Sequence, residues 1–351
     1  MLKTLALLSA LLIVAAPAMA FHDGGVADCA GCHTMHNSQD GALVDPDSPN
    51  GNAWLLKDST PSEVCLGCHA TRLGASFSAD PLAPGTDYGS GDFVFLTEDN
   101  LNDGHGGASN PITGDAAGHN INAPSFGVGP DATLTTSPGG SFPAGAMECS
   151  SCHDPHGTTD FRLLYGAGRV VQNGVATFTE AAPVAVGLPI FGGGESNTNH
   201  TAYQSGMSAW CGNCHGDFHA NNTKLIHPAG ETLGGTIAQN YNLYNGTEDI
   251  TGGTQATAYL AAVPFEDPTT TTSGTGGPGA ASQVSCISCH RAHATSAPDM
   301  GRWDFAVTLL AEDGAESGSY AIPDPYNSPN QRSLCNKCHV KDAYDHIVVT
   351  P

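Results

Sequence analysis

The chain is 351 residues long, with 34 Asp and Glu against 11 Lys and Arg, a formal net charge of −23. That balance excludes nucleic acid as a partner, because such recognition rests on Lys and Arg neutralising phosphates. The 44 Gly and 23 Pro punctuate the sequence too often for long regular elements, so most of the chain is expected to be loop.

In chain order, residues 1–20 read as a secretory signal. Lys3 gives the positive start, Leu5 to Ala16 the apolar run, and Ala18-Met19-Ala20 the small-residue cleavage site. The mature protein is expected to begin at Phe21, as an exported single domain of residues 21–351. No later stretch reaches the roughly 18 to 20 apolar residues of a membrane helix, so no membrane span is expected.

Six C-x-x-C pairs follow and use all 12 Cys, with His directly after each: Cys29/Cys32/His33, Cys65/Cys68/His69, Cys149/Cys152/His153, Cys211/Cys214/His215, Cys286/Cys289/His290 and Cys335/Cys338/His339. A C-x-x-C pair alone also suits zinc, a redox dithiol or a disulfide. With 16 His in 351 residues, a His follows a given pair by chance about one time in twenty, so six of six points to c-type haem attachment. Both thiols then bond to the porphyrin edge and the His becomes the proximal iron ligand. Six covalently bound haem c groups are expected.

The motifs start at 29, 65, 149, 211, 286 and 335, separations of 36, 84, 62, 75 and 49 residues, which excludes a fixed-period repeat. The reading is a mostly irregular coil with few short helices and a minor β-hairpin, cored by haem rather than by side chains. A one-turn or two-turn helix is expected at each motif, a helix over Thr254 to Val263, and a hairpin over Arg169 to Phe178 with a two-residue turn at Asn173-Gly174. The run from Thr269 to Gly279 reads as a flexible excursion.

Ten further His remain: His22, His36, His105, His119, His156, His200, His219, His227, His293 and His346. That is enough for a second imidazole on every iron. Met, the rival distal ligand, is left only at Met35, Met147, Met207 and Met300 after signal removal. His36, His156, His293 and His219 trail their motifs by three or four residues, which on a helix is the same face. A trailing His cannot reach across its neighbour's porphyrin, so any iron it binds belongs to another haem, and close-packed haems follow. Trp54, Trp210 and Trp303 read as packing residues. Asp and Glu clusters could hold a structural cation, although none matches an EF-hand loop.

Several segments carry a family resemblance: FHDGGVADCAGCHTMHNSQ, TLTTSPGGSFPAGAMECSSCHDPHG, YQSGMSAWCGNCHGDFH, IHPAG, VSCISCHRAHA and QRSLCNKCHVKD. They resemble the OmcS-type outer-surface hexahaem cytochromes of metal-reducing bacteria. The resemblance implies an electron carrier rather than an enzyme. It also implies a homopolymer that forms an extracellular filament with stacked haems, exchanging electrons with other redox cytochromes or with extracellular acceptors such as metal oxides. His22, His36, His119, His156, His219, His227 and His293 are implied as distal ligands, seven for six irons, with His36 crossing to a haem of the adjoining subunit. Two other readings stay open: a monomeric periplasmic electron shuttle, and a multihaem reductase with one open iron.

Overall fold

The computed structural model describes residues 28–70, 76–81, 89–97, 101–102, 111–171, 174–188, 200–220, 229–246, 252–260, 263–271, 276–305 and 332–339. The signal segment, His22, His105, His227 and His346 lie outside them, as does the side chain of His219. No helix among the described residues is long and apolar enough to cross a membrane.

Regular structure is short and scattered, as the Gly and Pro content requires. The nine-residue helix Pro61–His69 forms because Thr60 caps it. The Thr60 hydroxyl accepts from the amide of Glu63 at 3.1 Å, and Pro61 occupies the first turn, where its missing N–H costs nothing. The ten-residue helix Gly234–Leu243 buries Ala238 and Tyr241. A four-stranded sheet orders Gln283–Val284, Phe265–Glu266, Ala202–Ser205 and Val184–Val186. Its outer pairs are antiparallel, and Tyr203 pairs in parallel with Glu266 at its centre. This sheet joins segments far apart in sequence and had no local signature.

The apolar core is divided into small clusters with motif cysteines at their edges. One gathers Leu66, Phe93, Val94, Phe95, Ile121 and Ala294 against Cys149. A second gathers Tyr241, Leu260, Val263, Trp303 and Leu334 against Cys289 and Cys338. The third sets Tyr165, Val171 and Phe178 against Trp210.

Five expectations need correction. Thr254 to Val263 is not a helix: a single 3-10 turn, Gln255–Thr257, is followed by Ala258, Tyr259 and Leu260, whose side chains are buried among loops. The Arg169 to Phe178 hairpin is present, but Val171 pairs with Ala176, so four residues rather than two connect its strands. Of the Thr269 to Gly279 run, residues 272–275 lie outside the described set. Its end is anchored, with the Gly277 amide bonded to the Gln255 carbonyl at 2.6 Å and Pro278 buried. Trp54 is exposed rather than packed, whereas Trp303 is buried and the Trp210 indole donates to the Tyr165 carbonyl at 2.7 Å.

The fifth correction concerns the trailing histidines. At the first and fifth motifs the helix covers only Cys29–Cys32 and Cys286–Cys289, and the chain is already extended at His33 and His290 (ψ 152° and 157°). The third motif is a 3-10 turn, Cys149–Ser151, with His153 in a β-bridge. His36, His156 and His293 therefore do not share a helix face with their proximal neighbours. Helical geometry is lost because each proximal residue forms an isolated antiparallel bridge with a residue further along the chain: His33 with Leu56, His153 with Leu164, His290 with Gly301.

Candidate haem-attachment sites

Those three bridges belong to one device used three times. Opposite each proximal His stands a pair of non-glycine residues in the left-handed region: Trp54-Leu55, Arg162-Leu163 and Asp299-Met300, with φ between 53° and 59°. Each such residue costs about 1–2 kcal/mol, so its recurrence points to use. The first carbonyl of each pair meets the imidazole Nδ1: Trp54 to His33 at 3.0 Å, Arg162 to His153 at 2.7 Å, Asp299 to His290 at 2.9 Å. The second carbonyl accepts from the residue after the His, namely Thr34 at 2.8 Å, Asp154 at 2.7 Å and Arg291 at 2.9 Å. Two residues further on, an amide returns to the second Cys carbonyl: Lys57 to Cys32, Tyr165 to Cys152, Arg302 to Cys289.

A carbonyl oxygen only accepts, so Nδ1 must carry the proton and Nε2 presents its lone pair. The fourth motif reaches the same end differently, with His215 Nδ1 2.7 Å from the Pro138 carbonyl. The loop stays close because Gly140 has no side chain: a Cβ there would collide with the Cys214 carbonyl oxygen. Burial also lowers the pKa of His119, His153, His290 and His293, the last to about 3, so these rings stay neutral. Neutral, tautomer-fixed imidazole is the form that binds iron.

The rings also pair between motifs. His33 and His156 lie with centroids 6.0 Å apart and planes at 19°, and His119 and His215 at 6.0 Å and 45°. Two imidazoles on opposite faces of one metal, each bonded at about 2 Å, have centroids about 6 Å apart. His119 is carried to this place by segment 117–119, which pairs with 293–295: the His119 amide donates to the His293 carbonyl at 2.9 Å, and His119 Nδ1 meets the Ala292 carbonyl at 2.6 Å. His293 is stacked on Phe93 at 4.4 Å, and the neighbouring His153 and His119 add to burial in disfavouring its protonation. His36 is exposed. His200, which the sequence left without a role, stacks on Tyr259 at 3.3 Å.

The thiols follow the motifs in sequence order. Cys32 neighbours Cys68, Cys65 hydrogen-bonds Cys149, Cys152 neighbours Cys214, Cys211 hydrogen-bonds Cys286, and Cys289 neighbours Cys335 and Cys338. None of the twelve forms a disulfide. Burial pushes Cys152 and Cys289 up to about 12 and Cys214 and Cys338 to about 11. Thiols held uncharged in this way suit conversion to an uncharged thioether. The donor set thus fits c-type haem. Among the described residues, no cluster of three or more His, Cys, Asp or Glu is placed to hold a metal ion by itself.

The sequence did not reveal the carbonyls of Trp54, Arg162, Asp299 and Pro138. Leu55-Leu56 and Leu163-Leu164 are a weak shared signal, hidden because they stand at unequal distances from their motifs.

Comparison with known proteins agrees with this geometry. Residues 142–175, around the third motif, match the doubled CXXCH motif family. The chain is 36% identical to C-type cytochrome OmcS of Geobacter sulfurreducens, over 95% of this chain and 97% of that one. It also superposes on two solved structures, each covering 92% of this chain and all of theirs. These are the OmcS nanowires of Geobacter sulfurreducens determined by cryo-EM (TM-score 0.76, 33% identity) and the outer membrane cytochrome S filament of the same organism (TM-score 0.77, 32% identity). The chain belongs to the OmcS family of multihaem c-type cytochromes.

Proposed function

We propose that this protein is an exported hexahaem electron carrier whose irons each receive two imidazoles and whose subunits polymerise into extracellular filaments. The observation that carries it is the pair of imidazole couples at 6.0 Å, each joining residues far apart in the chain. Such couples close both axial positions, which suits electron passage and leaves no place for a substrate. Haem supplies a one-electron store, and the chain's residues determine its ligands, surroundings and neighbours.

Cys29, Cys32, Cys65, Cys68, Cys149, Cys152, Cys211, Cys214, Cys286, Cys289, Cys335 and Cys338 hold the six groups. His33, His69, His153, His215, His290 and His339 are the proximal ligands. The distal assignment runs in steps of two motifs. His156 of the third motif faces His33 of the first at ligand distance, and His293 of the fifth lies near His153 of the third. One more step of the same kind takes His36 of the first motif to His290 of the fifth motif in a second copy. His119 serves the fourth motif, and His22, His219 and His227 remain for the second and sixth.

Filament formation draws on the family, whose solved members are described as nanowires and a filament. Low-temperature electron paramagnetic resonance with spin counting tests the reading. The polymer should contain six low-spin irons per chain, and a stoichiometric high-spin iron would overturn it in favour of a reductase.

A further inference from the structure

Two junctions between successive motifs share one frame. Ser62 stands three residues before Cys65, and its hydroxyl accepts from the Cys149 amide at 3.0 Å. Ser208 stands three residues before Cys211 and accepts from the Cys286 amide at 3.1 Å. Cys65 hydrogen-bonds Cys149, and Cys211 hydrogen-bonds Cys286, so each junction brings the attachment edges of two haems together. The incoming motifs also open with matching caps, Glu148 with Ser151 and Ser285 with Ser288.

The two differ in the residue before the incoming cysteine. At the fourth-to-fifth junction it is Ser285, a neutral hydroxyl. At the second-to-third it is Glu148, whose carboxylate accepts from the Ser62 hydroxyl at 2.5 Å and the Ser62 amide at 3.1 Å. The junction closes with serine in that place, so holding it does not require a carboxylate. Nor does the helix Pro61–His69, which Thr60 already caps. At the other junction the Met207 amide is met at 2.5 Å by Glu266 of the sheet. Placing Glu148 between two cofactors costs desolvation free energy that neither task explains.

A second carboxyl stands beside it. Glu63, the residue after Ser62, is fully buried, with Asp58 acting on it from the helix's leading loop. Against that burial, bonds from Ser125 and Ser59 hold Glu63 below the usual carboxylate range, so it stays ionised. Glu148 moves the other way: burial lifts it, the Glu63 charge adds to the lift, and bonds from Ser62 and Asn122 oppose it. Helix Pro61–His69 thus turns one charge, Glu63, towards Glu148, and the Asn122 loop turns a neutral amide. Cys65 and Cys149 also feel the Glu148 charge, but as thioethers they cease to titrate. Two carboxyls driven apart in this way leave one fixed and the other ready to exchange a proton. Glu148 is half-buried, so water reaches it.

We infer that Glu148 is the proton acceptor of the second-to-third haem junction, taking up one proton from water when a haem there gains an electron and so setting that junction's potential. This rests on the hexahaem reading above. One electron arrives from a neighbouring haem, one proton arrives at a Glu148 oxygen, and the net charge of the junction is unchanged. An added electron strengthens the carboxyl's hold on its proton. The potential therefore falls as pH rises between the carboxyl's pKa values in the oxidised and reduced protein, and is flat outside that window. In the fully coupled limit, a tenfold change in proton activity moves a one-electron potential by about 59 mV.

The test uses the mature holoprotein with Glu148→Gln, which keeps an acceptor for Ser62 without the charge, and with Glu148→Ser, which copies the fifth motif. Proton uptake on full reduction is followed with an indicator dye in unbuffered solution, beside spectroelectrochemical titrations across the acid to neutral range. Haem propionates titrate in wild type and variants alike, so the difference reports Glu148. Six haems per chain, lower proton uptake in both variants and one haem potential raised and made flat with pH support the assignment. Uptake and pH slopes equal to wild type in Glu148→Gln overturn it, and six haems in that variant leave the hexahaem reading standing. Wild-type protein without a haem on the second or third motif overturns both.

Discussion

At the first, third and fifth motifs the proximal histidine leaves a single turn on extended backbone and is gripped by a left-handed residue pair. The second and fourth sit instead at the end of helices, Pro61–His69 and Met207–Cys211, and the fourth takes its carbonyl from the loop at Pro138. The attachment motif is the same in both classes. The difference shows that C-x-x-C-H specifies the cofactor, whereas orientation of the imidazole is set by a carbonyl brought from elsewhere. At the odd sites that carbonyl costs backbone strain, and at the fourth it requires a glycine.

Each class can be broken separately. The largest effect is expected at the fourth site, where Gly140→Val drives a branched side chain into the Cys214 carbonyl. We expect a loss of 3 kcal/mol or more, about the upper range for a backbone clash of this kind, together with incomplete haem attachment, read by thermal unfolding and haem content. At the third site Arg162→Val places a β-branched residue at φ 53° and should cost about 1–3 kcal/mol, whereas Arg162→Gly should stay within about 1 kcal/mol of wild type. Equal effects of the two substitutions would remove the strain argument. Thr60→Ala, which removes the cap of the second-site helix together with the Thr60 hydroxyl's bond to the Asn122 carbonyl, should lower stability by about 1–2 kcal/mol in the same assay.

The ligand pairs sharpen the comparison spectroscopically rather than energetically. His156→Ala should leave six haems attached but convert one iron to high spin, and His119→Ala should do the same at a different site. If either variant keeps all six irons low-spin, the corresponding couple at 6.0 Å is not a ligand pair.

The sequence revealed most where chemistry needs fixed neighbours. Cys29/Cys32/His33 and its five counterparts are legible because thioether and iron bonds demand that spacing. The loop-rich fold was legible from Gly and Pro. The grips were not, since Trp54, Arg162 and Asp299 share no side-chain chemistry and contribute through their backbones. Nor was the helix over Thr254 to Val263 refuted by its composition. Its apolar residues serve a cluster with Trp303 and Leu334 that only tertiary structure assembles. The trailing histidines were found for a reason the backbone contradicts: they do serve other motifs in the reading above, but His36, His156 and His293 stand in bends and turns rather than on the helix face of their proximal neighbours.

Electron cryomicroscopy of the native holoprotein, at a resolution that shows the imidazoles, tests the central claim most directly. The account predicts six haems in motif order, one iron between His33 and His156, one between His119 and His215, and His36 on the fifth-motif iron of the adjoining subunit. Irons lying elsewhere than between those two imidazole pairs would contradict it.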